Sequence, residues 1–434
     1  MRCGFGKVDI TPKVGCRLAG YPQVRVSEGI ADPLYIRAVA FEEGALSLIM
    51  TCDMVGLCCS IATRLRSGIA NALGCRIEQV NIAATHSHYT PYSDRAPDAS
   101  TEEFLATLEE KAIGAAREAI EDLQEAELRF AQDMLPGISF VRRYRMKDGS
   151  VQTNPGRCNP NVIGPVSEGD DTLQLLRICR ESGDILMVGF QVHPDVRRGL
   201  LISADYPGAV CRELEEALPG CKAIYINGTC GDLNHIDVKC PSKAFNGGPG
   251  HVAYMGRAIA GKALHLYPVA HPIMAGPVHT AGQLLRLPQK QVSKEQLKQA
   301  LDYIRWHEAG ETDKIPYRDM QYITAVNQSY RIRKIAEYGG DIEAPVCAAS
   351  MGQLAFVTVP GEGFCAIGKQ LRTNSPFIAT FVMNTCNAYE GYFPTREAYE
   401  QGSYETSNSS FPAGIAELLT DTGAKLLQQV HDCK

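Results

Sequence analysis

Six short apolar runs, each leading directly into polar residues, set the frame for this chain. Ala45 to Cys52 ends at Asp53, Gln79 to Ala84 at Thr85-His86-Ser87-His88, and Leu186 to Val192 at His193-Pro194-Asp195. Ala223 to Ile226 ends at Asn227 to Asp232, Leu354 to Val359 at Pro360-Gly361-Glu362, and Phe377 to Met383 at Asn384 to Tyr389. Runs of this length read as buried strands. Helical patterns lie among them at Ser60 to Leu73, Thr101 to about Leu123, Pro207 to Leu218, His251 to Leu266, Lys294 to His307 and Pro412 to Val430. The alternation predicts an α/β fold with mixed β-sheets flanked by helices. In open α/β sheets ligands bind beyond the carboxyl ends of the strands, so these polar endings can converge on one site. Any strand meets polar residues on leaving the core; what distinguishes these is residue type, because three endings supply His or Glu.

Smaller signals add detail. Ser100 with Glu103 three residues later has the pattern of a capping box for the second helix. The Lys294 to His307 piece, rich in Lys, Glu, Gln and Leu, reads as a surface helix, and Asp148 to Pro155 and Phe245 to Gly250 read as glycine-rich loops.

Composition narrows the function classes. At 434 residues the length prior is about three domains. No repeat or Pro/Ser-rich linker divides the chain, so one domain over residues 1–434 is expected. A formal net charge of −6, with no stretch concentrating Lys and Arg, argues against a nucleic-acid partner. The most apolar stretch, Leu46 to Leu65, carries Asp53 and Arg64 and is too polar for membrane insertion. The start shows no apolar export signal, and the 16 cysteines match neither a zinc ribbon nor a disulfide scaffold. Reduced thiols packed as small hydrophobes in the cytoplasm are the expectation.

His86 and His88 stand at i, i+2, which in extended backbone places both imidazoles on one side. Joined by a third His and a carboxylate from other strand ends, they compose the ligand set of a catalytic metal centre with a position open for water. A pair of hydrogen-bonded histidines near the surface has the same spacing.

Several motifs in register carry a resemblance. Gly4 to Pro12 (GFGKVDITP), Leu18-Ala19-Gly20-Tyr21, Ala84 to His88 and Pro360-Gly361-Glu362 come first in chain order. Asn387 to Tyr392 (NAYEGY), Thr395-Arg396-Glu397 and Tyr404-Glu405 follow. Together they resemble the catalytic domain of the neutral/alkaline non-lysosomal ceramidases, across residues 4 to 405. The resemblance implies that family's fold and a zinc ion held by two His, a Glu and a Tyr, which here are His86, His193, Glu362 and Tyr392, with Tyr389 as the competing phenol. It also implies His88 behind the ligands as an orienting or proton-shuttling group, Tyr404 as a site residue, and an arginine at Arg142, with Arg143 the alternative.

The departures from the family pattern matter as much. Where ceramidases read Gly-Asp-x-Ser-Pro, with the Ser as nucleophile, this chain reads Gly231-Asp232-Leu233-Asn234-His235. An amide cannot form the covalent acyl intermediate that a hydroxyl can. His235 adds an imidazole to the site, as base, acid, extra ligand or structural group, while Cys230 and Thr229 are weaker substitutes for the nucleophile. No counterpart of the family's C-terminal immunoglobulin-like domain is expected here, and no loop shows the exposed Leu, Phe and Trp run of a lipid-docking surface. The expectation is a cytoplasmic zinc-dependent hydrolase of a small polar amide, ester or lactone. A ceramidase that tolerates Asn234 and a metal-binding protein without catalysis are the alternatives, and a His/Glu/Tyr set also suits manganese or iron.

Overall fold

Strands buried on both faces build two sheets that share one core. The structure is a computed structural model that describes residues 1–241 and 246–433. The six expected strands are all present, as Ala45–Cys52, Val80–Ala84, Ile185–Phe190, Lys222–Asn227, Leu354–Thr358 and Ala379–Met383. The larger sheet runs in the order Lys222–Asn227, Ile185–Phe190, Thr172–Arg180, Gln124–Met134, Arg2–Asp9, Tyr35–Glu43, Ala45–Cys52, Val80–Ala84, with His271–Ile273 also paired to Gln124–Met134. Its two outermost pairs are parallel and the inner pairs antiparallel, so the sheet is mixed. The smaller sheet runs Val278–Leu287, Ile342–Met351, Leu354–Thr358, Ala379–Met383, and its last pair is parallel.

Because successive side chains point to opposite faces, each strand serves two cores. Val39, Phe41, Ile49, Ile224 and Ile226 of the larger sheet pack on Phe356, Phe381 and Met383 of the smaller one. The opposite faces of the same strands, through Ile36, Ala38, Leu48 and Met50, meet Leu65, Leu108, Ala112 and Ala116 of the helices Cys59–Leu73 and Ala99–Glu121. Leu186, Val188 and Tyr225 likewise meet Val210, Leu214, Met255 and Ile259 of Asp205–Ala217 and Pro249–Leu266. The C-terminal helix Ile415–Asp432 covers the outer face of the smaller sheet through Leu419, Leu426 and Val430. The result is four layers, helix, sheet, sheet, helix.

Three expectations need correction. The second helix is capped not by Ser100 but by Asp98, whose carboxylate accepts from Thr101 N at 2.8 Å and from the Thr101 hydroxyl at 3.0 Å. A charged acceptor at a helix N-terminus outcompetes a hydroxyl, and the Ser100 Oγ donates instead to Lys13 O. Within the Asp148 to Pro155 loop, Val151–Thr153 is a strand paired with Arg143–Met146. Of the Phe245 to Gly250 loop, Phe245 lies outside the described residues, and Pro249 and Gly250 already belong to a helix.

The helix Asp319–Tyr338 was not anticipated. It pairs with Lys294–Glu308 as a hairpin around Tyr303, Ile315, Ala325 and Val326. The hairpin spans the carboxyl edge of the sheets: His307 Nε2 approaches Pro22 O at 3.3 Å on one side, and Asn327 donates to the Tyr404 hydroxyl at 3.1 Å on the other.

All 16 cysteines are free, nine of them buried. Among the described residues, no helix is long and apolar enough to cross a membrane.

Candidate metal centre

The loops that follow the parallel strands are tied to one another at their first residues. Ala84 N donates to Thr385 O at 3.1 Å, Asn384 N to Asn227 O at 3.1 Å, and the Asn227 amide to Thr85 O at 3.2 Å. These bonds bring the ends of both sheets to one point and position the side chains beyond them.

His86 adopts φ 74°, a left-handed conformation that usually costs a non-glycine residue of order 1–3 kcal/mol. His86 N to Met54 O at 2.8 Å and Thr85 N to Cys52 O at 2.9 Å hold it there. The extended-backbone argument for His86 and His88 therefore fails, since the strand ends at Ala84. Both imidazoles reach the same centre because the chain turns, with ring centroids 5.1 Å apart and at right angles.

His86 Nδ1 lies 2.5 Å from Val55 O, which accepts its N–H and so keeps the proton on Nδ1 and leaves Nε2 as a bare lone pair. His86 Nε2 stands 3.1 Å from His193 Nε2, while Glu362 Oε2 is 3.4 Å from the first and 3.6 Å from the second. His193 Nδ1 faces Cys230 O at 3.4 Å. All three side chains are buried, and Glu362 Oε2 has no hydrogen-bond partner. With the proton of each ring on Nδ1, three acceptor atoms face one another in a buried pocket and repel unless a cation lies between them. Donor atoms around a tetrahedral zinc at 2.0–2.2 Å are about 3.3 Å apart, the spacing seen here. The donor set therefore fits a divalent ion. His88 also offers a ring nitrogen to this group, with the atoms of His86, His88 and His193 within 4.8 Å of one another.

Burial, aided by the neighbouring imidazoles, lowers the His88 pKa well below its usual value. Burial, then Arg142 and His86, takes His193 down to about 3. Both rings are therefore neutral at physiological pH, as metal ligation requires. For Glu362, burial would raise the pKa, but His86, His193 and Arg142 outweigh it and hold the carboxylate ionised.

The two competing tyrosines occupy different places. The Tyr389 hydroxyl donates to Glu362 Oε1 at 2.7 Å, and its ring rests on Gly56, where a Cβ would come 2.4 Å from the ring. Tyr392 lies beside Arg142, the guanidinium 5.5 Å from its ring centroid, and edge-on to Tyr404 at 5.7 Å. Arg142 donates to Glu405 at 2.7 Å and to Gly231 O at 2.6 Å. Its burial disfavours charge, yet Tyr392, Glu405 and Glu362 raise its pKa well above normal. Arg143, the alternative, points away and donates to Ala398 O and Gly402 O.

His88 is wedged against Gly20, where a Cβ would come 2.5 Å from its ring, and it meets Tyr21 edge-on at 5.2 Å. Neither of its ring nitrogens has a hydrogen-bond partner. His235 Nδ1 lies 3.1 Å from Asp195 Oδ1, and its ring meets His251 at 5.1 Å. Asn234 is fully engaged: its amide donates to Asn154 at 2.7 Å and its carbonyl accepts from Ile236 N at 3.0 Å. Asp232 accepts from Cys365 N at 2.7 Å, holding the turn. Burial raises the Cys230 thiol pKa far above its usual value, which is unsuited to a nucleophile.

Asp195 and Glu405 were given no role in the sequence reading, and their signal was position only, close to His193 and Tyr404 in the chain.

No protein-family model matches the chain. Its fold is that of the neutral ceramidases. The neutral ceramidase from Pseudomonas aeruginosa superposes with a TM-score of 0.74 at 18% identity, over 99% of this chain and 75% of that one. A ceramidase complexed with C2 superposes at 0.71 and 17%, with the same coverage.

Proposed function

We propose that this chain is a ceramidase-like, metal-dependent hydrolase that cleaves a small polar amide, ester or lactone in a single catalytic domain. The observation that carries it is the convergence of His86 Nε2, His193 Nε2 and Glu362 Oε2 at 3.1–3.6 Å, with Glu362 Oε2 buried and without a hydrogen-bond partner. His86, His193, Glu362 and Tyr392 would hold the ion, zinc by preference for a four-ligand set with two imidazoles. Glu362 is favoured over His88 as the third ligand because the His86, His193 and Glu362 atoms lie within 3.6 Å of one another, against the 4.8 Å span of the three imidazoles. Tyr389 is already committed to Glu362 and acts as a positioning residue, which leaves Tyr392 as the phenolic ligand.

When bound, the cation supplies Lewis acidity and lowers the pKa of water beside it. Neutral His88, its ring nitrogens free, takes the proton of the attacking water. The water oxygen bonds to the acyl carbon, the C–N or C–O bond breaks, and that proton passes to the leaving nitrogen or oxygen. Arg142, kept charged and aimed by Glu405, faces the developing oxyanion. Tyr404 packs on Tyr392 and limits its movement. His235 with Asp195 offers a second proton-handling pair, and Asn234 serves as a clip between loops rather than as a nucleophile. The free, largely buried thiols favour a reducing compartment such as the cytoplasm.

The test is metal analysis of purified protein, followed by an esterase, amidase and lactonase panel on His86→Ala and wild type. About one equivalent of zinc, and loss of both zinc and activity in His86→Ala, is expected. Absence of metal, or an unaffected variant, removes the mechanism. The fold neighbours favour a second reading, turnover of ceramide itself; chelator-sensitive cleavage of a short-chain labelled ceramide would establish it.

A further inference from the structure

The helical hairpin that spans the sheet edges encloses a cavity of about 840 Å³ between its inner face, the segment Ser150 to Gly156 and the segment Ser403 to Ser407. Such a volume holds a molecule of several rings. The cavity adjoins the proposed metal centre through shared walls. Asn154 lines it and bonds Asn234, Tyr404 lines it and packs on Tyr392, and Thr153 lines it and donates to Glu405.

Its lining chemistry is uncommon. Gln328 of the hairpin and Gln152 opposite present neutral amides, Gln299 holds its amide on the Tyr303 hydroxyl at 3.2 Å, Gln296 caps its own helix through Ser293 N at 2.9 Å, and Tyr303 and Tyr317 line the same wall. The charges in the wall, Arg318 and Asp319, are adjacent and of opposite sign. The aliphatic residues, such as Ala300, Ala325 and Ile332, share the hairpin wall with Gln299, Thr324, Gln328 and Ser329. A sphingoid or fatty chain lying there would leave methylenes against these amides and hydroxyls and lose transfer free energy. A simple anion would need a net positive wall. Planar amides, each with two donors and an acceptor, pair with vicinal hydroxyls, and tyrosine rings stack on the C–H faces of pyranose rings.

We propose that this cavity is the binding subsite for the non-reacting part of the substrate, and that this part is a neutral oligosaccharide. The proposal rests on the hydrolase reading above and specifies its substrate class, an acylated sugar with its ester or N-acyl group directed at the centre. Binding of the sugar nevertheless requires only the hairpin and loop residues, so it is separable from hydrolysis.

The experiment is a calorimetric titration of the full chain with two probes, tetra-N-acetylchitotetraose and acetylated xylotetraose, with fluorescence of the single tryptophan as a second signal. Trp306 lies 5.9 Å from the Tyr303 ring and senses that wall. Saturable binding of at least one probe is expected, retained in His86→Ala and in metal-stripped protein. The pair Gln152→Ala with Gln328→Ala should weaken it about tenfold, the loss of one or two neutral hydrogen bonds, with an unchanged melting temperature. Binding that persists in the metal-free protein while every hydrolysis assay fails would leave the subsite standing and remove the hydrolase reading. No binding of either probe at millimolar concentration, or binding indifferent to the glutamine pair, would overturn the subsite. Preferential binding of short-chain ceramide micelles, weakened by the same pair, would overturn it as well.

Discussion

Removing one oxygen from Tyr389 probes the metal-centre geometry most directly. In Tyr389→Phe the ring keeps its slot against Gly56, so packing is preserved and only the 2.7 Å hydrogen bond to Glu362 Oε1 is lost. The hydroxyl is a reliable donor, because burial and the Glu362 charge push its pKa well above the usual tyrosine value. A hydrogen bond to a charged acceptor is worth about 1.5–3 kcal/mol. At about 1.4 kcal/mol per factor of ten, its loss should weaken metal binding about 10- to 100-fold. The assay is zinc competition against a chromophoric chelator of known affinity, with circular dichroism confirming the fold. Tyr392→Phe, as removal of a direct ligand, should lose more. A change below about twofold in Tyr389→Phe would show that Glu362 needs no positioning. Complete loss of zinc, equal to that in Glu362→Ala, would make Tyr389 a ligand and refute the assignment of Tyr392.

Acid should destabilise the metal-free protein in a defined window. His193 titrates near 3 in the folded chain and His88 well below its usual value, against about 6.5 when unfolded. The unfolded state therefore binds more protons below about pH 6.5, and stability falls from there toward pH 3, by up to about 1.4 kcal/mol per pH unit for each ring. Glu362, held below its ordinary value, adds a further loss under about pH 4.5. Urea midpoints that are flat between pH 7 and 5 would contradict this. Asn234→Ser breaks the bond to Asn154 and should cost about 1–3 kcal/mol in thermal or urea denaturation without creating ceramide turnover; a gain of that activity would show that the clip is a dormant nucleophile site. Gly20→Ala puts a methyl 2.5 Å from the His88 ring at a backbone φ of +95°, so activity should drop at least about tenfold and the melting temperature should fall; unchanged kinetics would remove His88 from the reaction.

Much of this molecule is legible from local chemistry. Strand position and the mixed α/β class follow from apolar runs and their polar ends, because burial on both faces forces continuous hydrophobicity whatever the neighbours are. His86, His193 and Glu362 stood out for the same reason, as His and Glu placed where a buried strand stops. Other features depended on distant chain. Which tyrosine orients and which faces the centre turns on Gly56 and Arg142, more than 240 residues away from either. The convergence of His86 and His88 came from a left-handed turn held by Met54 and Val55, not from strand periodicity. Asn234 read as a vacant nucleophile position until Asn154 was seen to occupy its amide. The cavity is purely tertiary: Lys294–Glu308 reads as an ordinary surface helix until the unanticipated Asp319–Tyr338 turns its glutamines toward the loops opposite. Hydrophobic periodicity reports which residues leave water, a property of each segment alone. Which polar groups then meet depends on pairings between segments hundreds of residues apart, and those are set only when the sheets close on their shared core.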